Sequence, residues 1–292
     1  MSSGQSSFNH SSIELTPRKK VVIRPPSFSP FIVFTGLARL RQHLDLLWTL
    51  IVHRLKVRYK QSLLGPAWAV VQPLFLMLIY TVIFARIARV ETGGIPYPIF
   101  AYTALLPWTA FSSALTAATG GVTSHADLVK KVYFPREILP LSYIAAALVD
   151  LMIASIVLWG LFLYYGVQVT TFALWGFPII AIMITFAAAV SLLLSALQVR
   201  FRDIGMAMPL LLQLWMFATP VVYPLSAVPE QWRVFYTLNP MVGVIENFRR
   251  VMLEGVAPDY TSLGIATLVS LVLLPLAYMY FKHLEATMAD VI

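Results

Sequence analysis

A cluster of charged side chains occupies residues 127–137, between two long apolar segments. Charged residues make up only 12% of the sequence, yet DLVKKVYFPRE contains five of them. Asp127 precedes Lys130 and Lys131 by three and four residues, which is the spacing of ion pairs on a helix surface. Aliphatic and aromatic residues between the charges supply an apolar face. The pattern predicts a short helix that docks a partner; a loop that is basic only to orient the chain is the alternative.

No catalytic motif accompanies these charges. The sequence lacks G-x-x-x-x-G-K-[ST], H-E-x-x-H and G-x-S-x-G, so no phosphate-binding loop, zinc-protease helix or nucleophile elbow is expected. The absence of cysteine excludes disulfides and thiolate-bound metal. We therefore predict no catalytic residues, no metal site and no cofactor bound by this chain, and we do not expect it to be an enzyme.

Asp150 is the one clear ionisable residue inside the long apolar segments. Ion-coupled carriers normally bury several such groups as relays, so a single aspartate is a weak basis for ion coupling. Pairing with a Ser or Tyr on a neighbouring helix is the preferred explanation. An ion-coupled secondary transporter stays open as the less favoured alternative.

The composition indicates that membrane helices position these residues. The chain is 59% hydrophobic and its mean hydropathy is +0.78, which a water-facing surface does not accommodate. A spanning helix needs about 20 mostly apolar residues. Six segments qualify, with kinks predicted at Pro209 and Pro220 in the fifth. The predicted fold is all-α, with spans at 66–86, 99–119, 138–165, 172–197, 204–223 and 262–281.

Basic residues predict the orientation of these spans. Six spans place both termini on one side, and a cytoplasmic N-terminus puts all but five of the 21 Lys and Arg residues inside. The net charge of +8 is then explained by topology and anionic lipid, without nucleic acid. We predict a multi-pass protein of the cytoplasmic (inner) membrane with both termini cytoplasmic.

Two further segments flank the spans. Residues 1–30 are Ser-rich, then basic, and read as a disordered tail without an assigned role. Residues 31–65 precede the first span, and 31–60 are amphipathic, which predicts a helix in the membrane interface. Its apolar arc comprises Leu37, Leu40, Leu44, Leu47, Trp48, Ile51 and Leu55.

Residues 229–254 are too apolar for an ordinary loop and too charged for a span. We predict two short helices, at 229–237 and 241–254, separated by the turn signal Asn239-Pro240. The helices either dip into the membrane from outside and cap a pathway or lie in the interface without gating. Glu246, Arg249 and Arg250 are expected to face water.

Five aromatic residues lie deep in the first and fifth spans: Phe75, Tyr80, Phe84, Trp215 and Phe217. Their rings could stack on sugar faces or fill the spaces between helices. Core packing is the preferred reading from the residues alone.

Several motifs, in order, resemble the permease subunit of ABC-2 type polysaccharide exporters, which move O-antigen, capsule or teichoic-acid chains. They are LKVRYKQSLLGPAWAVVQPLFLMLIYTVIF, LVKKVYFPREILPL, RFRDIG, TPVVYPLSAVP and LNPMVGVIENFRR. The resemblance covers about residues 35–285 and leaves the tail outside.

The resemblance implies a homodimer that exports a lipid-linked polysaccharide, driven by two copies of a separate ATPase subunit that bind ATP and Mg. A related permease for a drug or lipid is the alternative. It implies an interface helix at 31–60, external gate helices at 229–254 and a conduit lined by spans one and five. The implied ATPase-coupling residues are Asp127, Lys130, Lys131, Tyr133, Pro135, Arg136, Glu137, Arg202 and Asp203. The implied gate residues are Trp232, Asn239, Pro240, Glu246, Arg249 and Arg250.

Overall fold

The computed structural model describes residues 41–60 and 62–291, and throughout these residues the regular structure is helical. The predictions for residues 1–40, including the tail and the first part of the interface helix, lie outside the described residues. The helices are α1 (Leu44–Tyr59), α2 (Trp68–Tyr80), α3 (Tyr97–Thr119), α4 (Ala126–Lys131), α5 (Ile138–Tyr165), α6 (Gly176–Arg200), α7 (Asp203–Phe217), α8 (Glu230–Thr237), α9 (Pro240–Arg249) and α10 (Tyr260–Val291).

Short non-α turns extend several of these helices. A tight turn at Gly65–Ala67 precedes α2, and Thr171–Trp175 precedes α6 in the same way. Wider turns continue α2 through Thr81–Ile87 and α9 through Arg250–Glu254. Pro66 stands at the start of the first long apolar helix, as its missing N–H favours.

Helix α3 lies at the centre of the fold and contacts α2, α5, α6, α7 and α9. Its middle carries a packed aromatic group: Phe111 stacks on Phe186 at 5.6 Å between ring centroids and meets the edge of Trp215 at 5.3 Å. Because other helices cover most of α3, its side chains pack against protein instead of lipid.

Four segments in the described part of the chain are long and apolar enough to cross a membrane: Gly65–Ile87, Ile138–Tyr165, Thr171–Arg200 and Tyr260–Glu285. These correspond to the first, third, fourth and sixth predicted spans. The second predicted span coincides with α3, which has the length but is less apolar. A helix enclosed by other helices needs less lipid-facing hydrocarbon, which explains the difference.

The fifth predicted span is shorter than expected. Helix α7 ends at Phe217, so Pro209 lies inside it whereas Pro220 lies in the irregular segment that follows. The kink predicted at Pro220 is therefore wrong, because the chain has already left the helix there. Residues 219–222 are buried despite being irregular, so their backbone groups need partners from elsewhere in the fold.

Helix α1 packs through a different face from the one that its apolar arc suggested. Leu50, Ile51 and Arg54 are buried, mainly against α5, whereas Leu44 and Trp48 remain exposed. The arc therefore divides: Ile51 faces protein, and Leu44 and Trp48 stay on the surface, where an interface helix would meet lipid.

Candidate functional site

The predicted coupling segment, residues 127–137, begins with the short helix α4, which has one buried apolar side and one exposed charged side. Val129 of α4 and Phe134 after it are 3% and 5% exposed, in an apolar cluster that includes Phe281 of α10. Asp127 and Lys131 form the expected ion pair at 3.5 Å on the open surface. The exposed side of the segment comprises Asp127, Lys130, Lys131, Val132 and Tyr133.

The end of this segment is tied to α10 by a buried polar network. Glu137 is 2% exposed and accepts hydrogen bonds from Lys282 at 2.7 Å and from Tyr278 at 3.0 Å. Lys282 also contacts Glu285 at 2.7 Å, and the Arg136 backbone N–H donates to Glu285 at 3.1 Å. The Arg136 guanidinium bonds the Glu285 carbonyl.

This network corrects part of the predicted coupling set. Glu137 is enclosed within the chain and cannot touch a partner directly, because its carboxylate is already surrounded by α10 side chains. Arg136 is half-buried and bound to Glu285. Both residues hold the segment against α10, and Pro135 marks the bend between the exposed and anchored parts. The surface that this segment leaves open therefore comprises Asp127, Lys130, Lys131, Val132 and Tyr133.

Helix α1 is fixed next to the same region by a buried arginine. Arg54 donates to the Ser142 hydroxyl at 2.6 Å and to the Leu139 carbonyl at 3.4 Å, and its guanidinium lies 3.3 Å from the centre of the Tyr143 ring. Burial lowers the pKa of Arg54, and the interaction with the Tyr143 side chain partly offsets this effect. His125 lies close by, and burial together with the Arg54 charge lowers its pKa.

Arg202 lies in the turn between α6 and α7, Asp203 is the first residue of α7, and both are exposed. Gln198 shapes this turn: its amide donates to the Arg202 carbonyl at 3.1 Å and accepts from the Gly205 N–H at 2.5 Å. The turn is thus a defined surface, and its two charged residues stay free of the interior.

Arg249 performs a different role from the one predicted for it. It is 3% exposed and lies 3.8 Å from the centre of the Phe100 ring. Its guanidinium contacts Glu246 at 2.9 Å and bonds the carbonyl of Val221, in the irregular segment after α7. The prediction that Arg249 faces water is wrong, because those freed carbonyls need a donor.

The other predicted gate residues divide between structural and exposed positions. Asn239 caps α9 by accepting from the Met241 N–H at 3.1 Å and donates to Thr219 at 2.9 Å. Pro240 occupies the first turn of α9. Glu246 is partly buried, with 27% of its side chain exposed, and this burial raises its pKa. Arg250 is exposed and donates to the Ala257 carbonyl at 2.6 Å, and Trp232 on α8 is 53% exposed.

The five deep aromatic residues do not form one surface. Tyr80 and Phe84 contact edge-to-face at 5.9 Å, and Trp215 belongs to the central ring cluster of α3. Phe75 and Phe217 are exposed, at 62% and 44%. Ring contacts support the core-packing reading for Tyr80, Phe84 and Trp215. The exposed rings of Phe75 and Phe217 remain open to other contacts.

A cavity of about 560 Å³ lies between the end of α1 and helices α2, α3 and α5. At one end Asp150 pairs with Arg58 and accepts a hydrogen bond of 2.5 Å from Tyr59. Burial and this bond raise the pKa of Tyr59 to about 12, so the hydroxyl keeps its proton. The expected Tyr partner of Asp150 is confirmed, and Arg58 is an additional one. Trp68 and Gln72 of α2 also line the cavity.

Among the residues described, no group of three or more His, Cys, Asp or Glu side chains could hold a metal ion. The family model of the ABC-2 type transporter matches residues 45–253. The chain belongs to the ABC-2 type transporter family.

Relatives of this ABC-2 protein match along most of its length. The O-antigen export system permease protein RfbA of Myxococcus xanthus is 34% identical over 254 residues, covering 86% of this chain and 96% of that protein. An RfbA of Klebsiella pneumoniae is 31% identical over 249 residues, covering 85% and 95%. The polysialic acid transport protein KpsM of Escherichia coli is 24% identical over 244 residues, covering 82% and 93%.

Sequence reasoning missed several residues of this ABC-2 chain. Lys282 was counted only as a cytoplasmic charge, and Glu285 was not singled out, because nothing local links them to a segment almost 150 positions earlier. The hydroxyl side chains at 109, 112, 113 and 116 were also missed. Their i, i+3, i+4, i+7 spacing was a readable signal of one polar helix face.

Proposed function

We propose that this chain is the membrane permease of an ATP-driven exporter that moves a lipid-linked polysaccharide across the cytoplasmic membrane. The observation that carries this proposal is the set of full-length relatives named for O-antigen export or polysialic acid transport. Membership of the ABC-2 family gives the transporter class, and the relatives give the substrate class.

The force for transport comes from a separate ATPase subunit that binds ATP and Mg. Two permease chains form the pore and two ATPase copies bind on the cytoplasmic side. The exposed part of the coupling segment, residues 127–133, contacts the ATPase, and the turn at Arg202 and Asp203 adds a second contact. The distribution of Lys and Arg supports this orientation, with both termini inside.

The anchoring network makes the coupling segment a stiff lever. Val129 and Phe134 are buried under it, and Glu137 is bound to Lys282 of α10. A displacement of residues 127–133 is therefore transmitted through these contacts to α10 and α5. Helix α1 moves with them, since Arg54 binds the first turns of α5. Helices α8 and α9 serve as the external gate.

The coupling surface is tested by reversing its exposed charges. We expect Lys130→Glu/Lys131→Glu to abolish co-purification with the ATPase subunit and to stop surface polysaccharide from appearing, while membrane insertion is retained. Both ammonium groups are exposed, so the fold should survive. Arg136 is left unchanged, because its bonds to Glu285 make a substitution there ambiguous.

Arg86→Glu/Arg89→Glu is the matched control. It also reverses two exposed positive charges, but these lie after the C-terminal end of α2 and outside the coupling segment. The control should keep ATPase binding. Normal ATPase assembly in the lysine variant would refute the coupling role. Unchanged surface polysaccharide after deletion of the permease gene would refute the export function itself.

A further inference from the structure

We propose that the cavity between α1, α2, α3 and α5 binds uncharged sugar units of the exported glycan, with Trp68 as the stacking ring. The inference rests on the proposed export function and specifies which part of the cargo is bound. The cavity volume, about 560 Å³, is within the range typical of small-molecule sites, roughly 300–1,000 Å³.

One wall of the cavity is a row of hydroxyl groups on α3. Thr109, Ser112, Ser113 and Thr116 all line it. Each hydroxyl donates its hydrogen to a backbone carbonyl in the preceding turn, for example Thr116 to Ser112 at 2.8 Å and Ser113 to Ala110 at 3.2 Å. Since the protons are used within the helix, the oxygens present mainly lone pairs to the cavity. This wall suits a ligand rich in hydroxyl donors.

The charged end of the cavity is already neutralised. The Arg58 guanidinium is paired with the Asp150 carboxylate, and the Tyr59 hydroxyl donates to the same carboxylate at 2.5 Å. A phosphate group carries acceptors only, so it would meet the hydroxyl lone pairs of α3 and a cation that is already paired. A neutral polyhydroxyl ligand avoids both conflicts. The cavity therefore fits the sugar part of a lipid-linked glycan better than its phosphate part.

The α2 wall supplies the remaining groups that recognise a sugar. Trp68 is 50% exposed and lines the cavity, so its ring is available to the C–H face of a pyranose, which is apolar and weakly positive. Gln72 is exposed, and its side-chain amide offers both donors and an acceptor. An exposed glutamine on a helix apolar enough to cross a membrane is more stable opposite the hydroxyl groups of α3 than in lipid.

Occupancy of the cavity can be measured directly because the native chain contains no cysteine. Thr116→Cys places a single thiol in the cavity, and Ser124→Cys places one at an exposed position outside its lining. Thiol labelling with a maleimide is followed in membranes from cells that make their own polysaccharide and from cells blocked in its synthesis. Ser112→Cys is a second cavity reporter, should Thr116→Cys reduce expression.

We expect Thr116→Cys to react about fivefold more slowly in glycan-producing membranes, as when four in five cavities are occupied. Ser124→Cys should react equally in both. Adding Trp68→Ala should remove most of the protection, and Trp68→Phe should keep most of it, because a ring remains. Co-purification with the ATPase subunit checks that each variant has folded.

Equal labelling of the cavity thiols in both membranes would overturn the inference. A cavity that lipid occupies in both strains would give this result. Protection that survives Trp68→Ala would overturn the stacking role of that ring. Surface polysaccharide is recorded in the same strains. If export requires the permease while labelling is equal, the sugar site fails and the export function stands; if export does not require it, both fail.

Discussion

The buried pair between Glu137 and Lys282 gives the sharpest test of how the coupling segment is held. Lys282→Met removes an ammonium that lies 2.7 Å from Glu137 and 2.7 Å from Glu285. The two paired side chains are 9% and 2% exposed, so Glu137 would remain buried with only the Tyr278 hydroxyl as a partner. Breaking a buried ion pair typically costs about 3–5 kcal/mol.

The remaining hydrogen bond reduces that cost. Because the Tyr278 hydroxyl still donates to the carboxylate, the loss should lie toward the lower end of that range, and we expect Lys282→Met to lower the free energy of unfolding by about 3 kcal/mol. Lys131→Met is the matched control, since its pair with Asp127 spans 3.5 Å between side chains that are 75% and 92% exposed. Solvent screens that pair, and its loss should cost well under about 1 kcal/mol.

Thermal unfolding of the purified permease in detergent measures both variants. Lys282→Met should lower Tm by several degrees, whereas Lys131→Met should leave Tm unchanged. In the complex with the ATPase subunit, Lys282→Met should also reduce glycan-dependent ATP hydrolysis. The double variant Glu137→Gln/Lys282→Met should recover part of the loss, because no buried carboxylate is left unpaired. Equal Tm values for the two lysine variants, or strictly additive losses in the double variant, would refute the reasoning.

Two further predictions concern packing and pH. A Cβ on Gly243 would lie 2.8 Å from the Ser262 carbonyl and 2.9 Å from Ala266, so Gly243→Ala should cost about 1–3 kcal/mol. Gly264→Ala meets open space and should be neutral or stabilising in the same Tm assay. Burial, with Arg54 and His53, lowers the pKa of His125 in the folded protein, so the unfolded chain binds a proton first. Stability should therefore fall as pH drops below about 6.5, and the fall should be smaller in His125→Gln than in His53→Gln.

Features that depend only on residues close together in the chain could be predicted from the sequence. The predicted segment 138–165 coincides with α5, and the two short helices predicted within 229–254 match α8 and α9 closely. Helix α9 is buried on nearly all sides, since nine of its ten residues are buried. Helix length, apolar periodicity and turn residues are local properties, so a single sequence is enough to predict them.

Predictions about which way a charged residue faces were less successful. Arg249 was expected in water because charged residues usually are, yet the break after Phe217 leaves carbonyls that this side chain satisfies. Glu137 was expected to meet a partner, yet Lys282 binds it from 145 positions along the chain. A sequence pattern shows that a residue is charged, but the partner that makes burial tolerable is visible only when the helices are packed together.

By itself, the sequence determined that the chain is a multi-pass helical membrane protein with a charged segment at residues 127–137, since hydropathy and charge spacing specify these directly. The tertiary structure decided which charges are anchors and where a cavity opens. Asp150 meets Arg58 across 92 positions, and the hydroxyl row of α3 becomes one wall only when α2 and α5 enclose it. Contacts between distant segments depend on how the helices assemble, and no local pattern encodes that assembly.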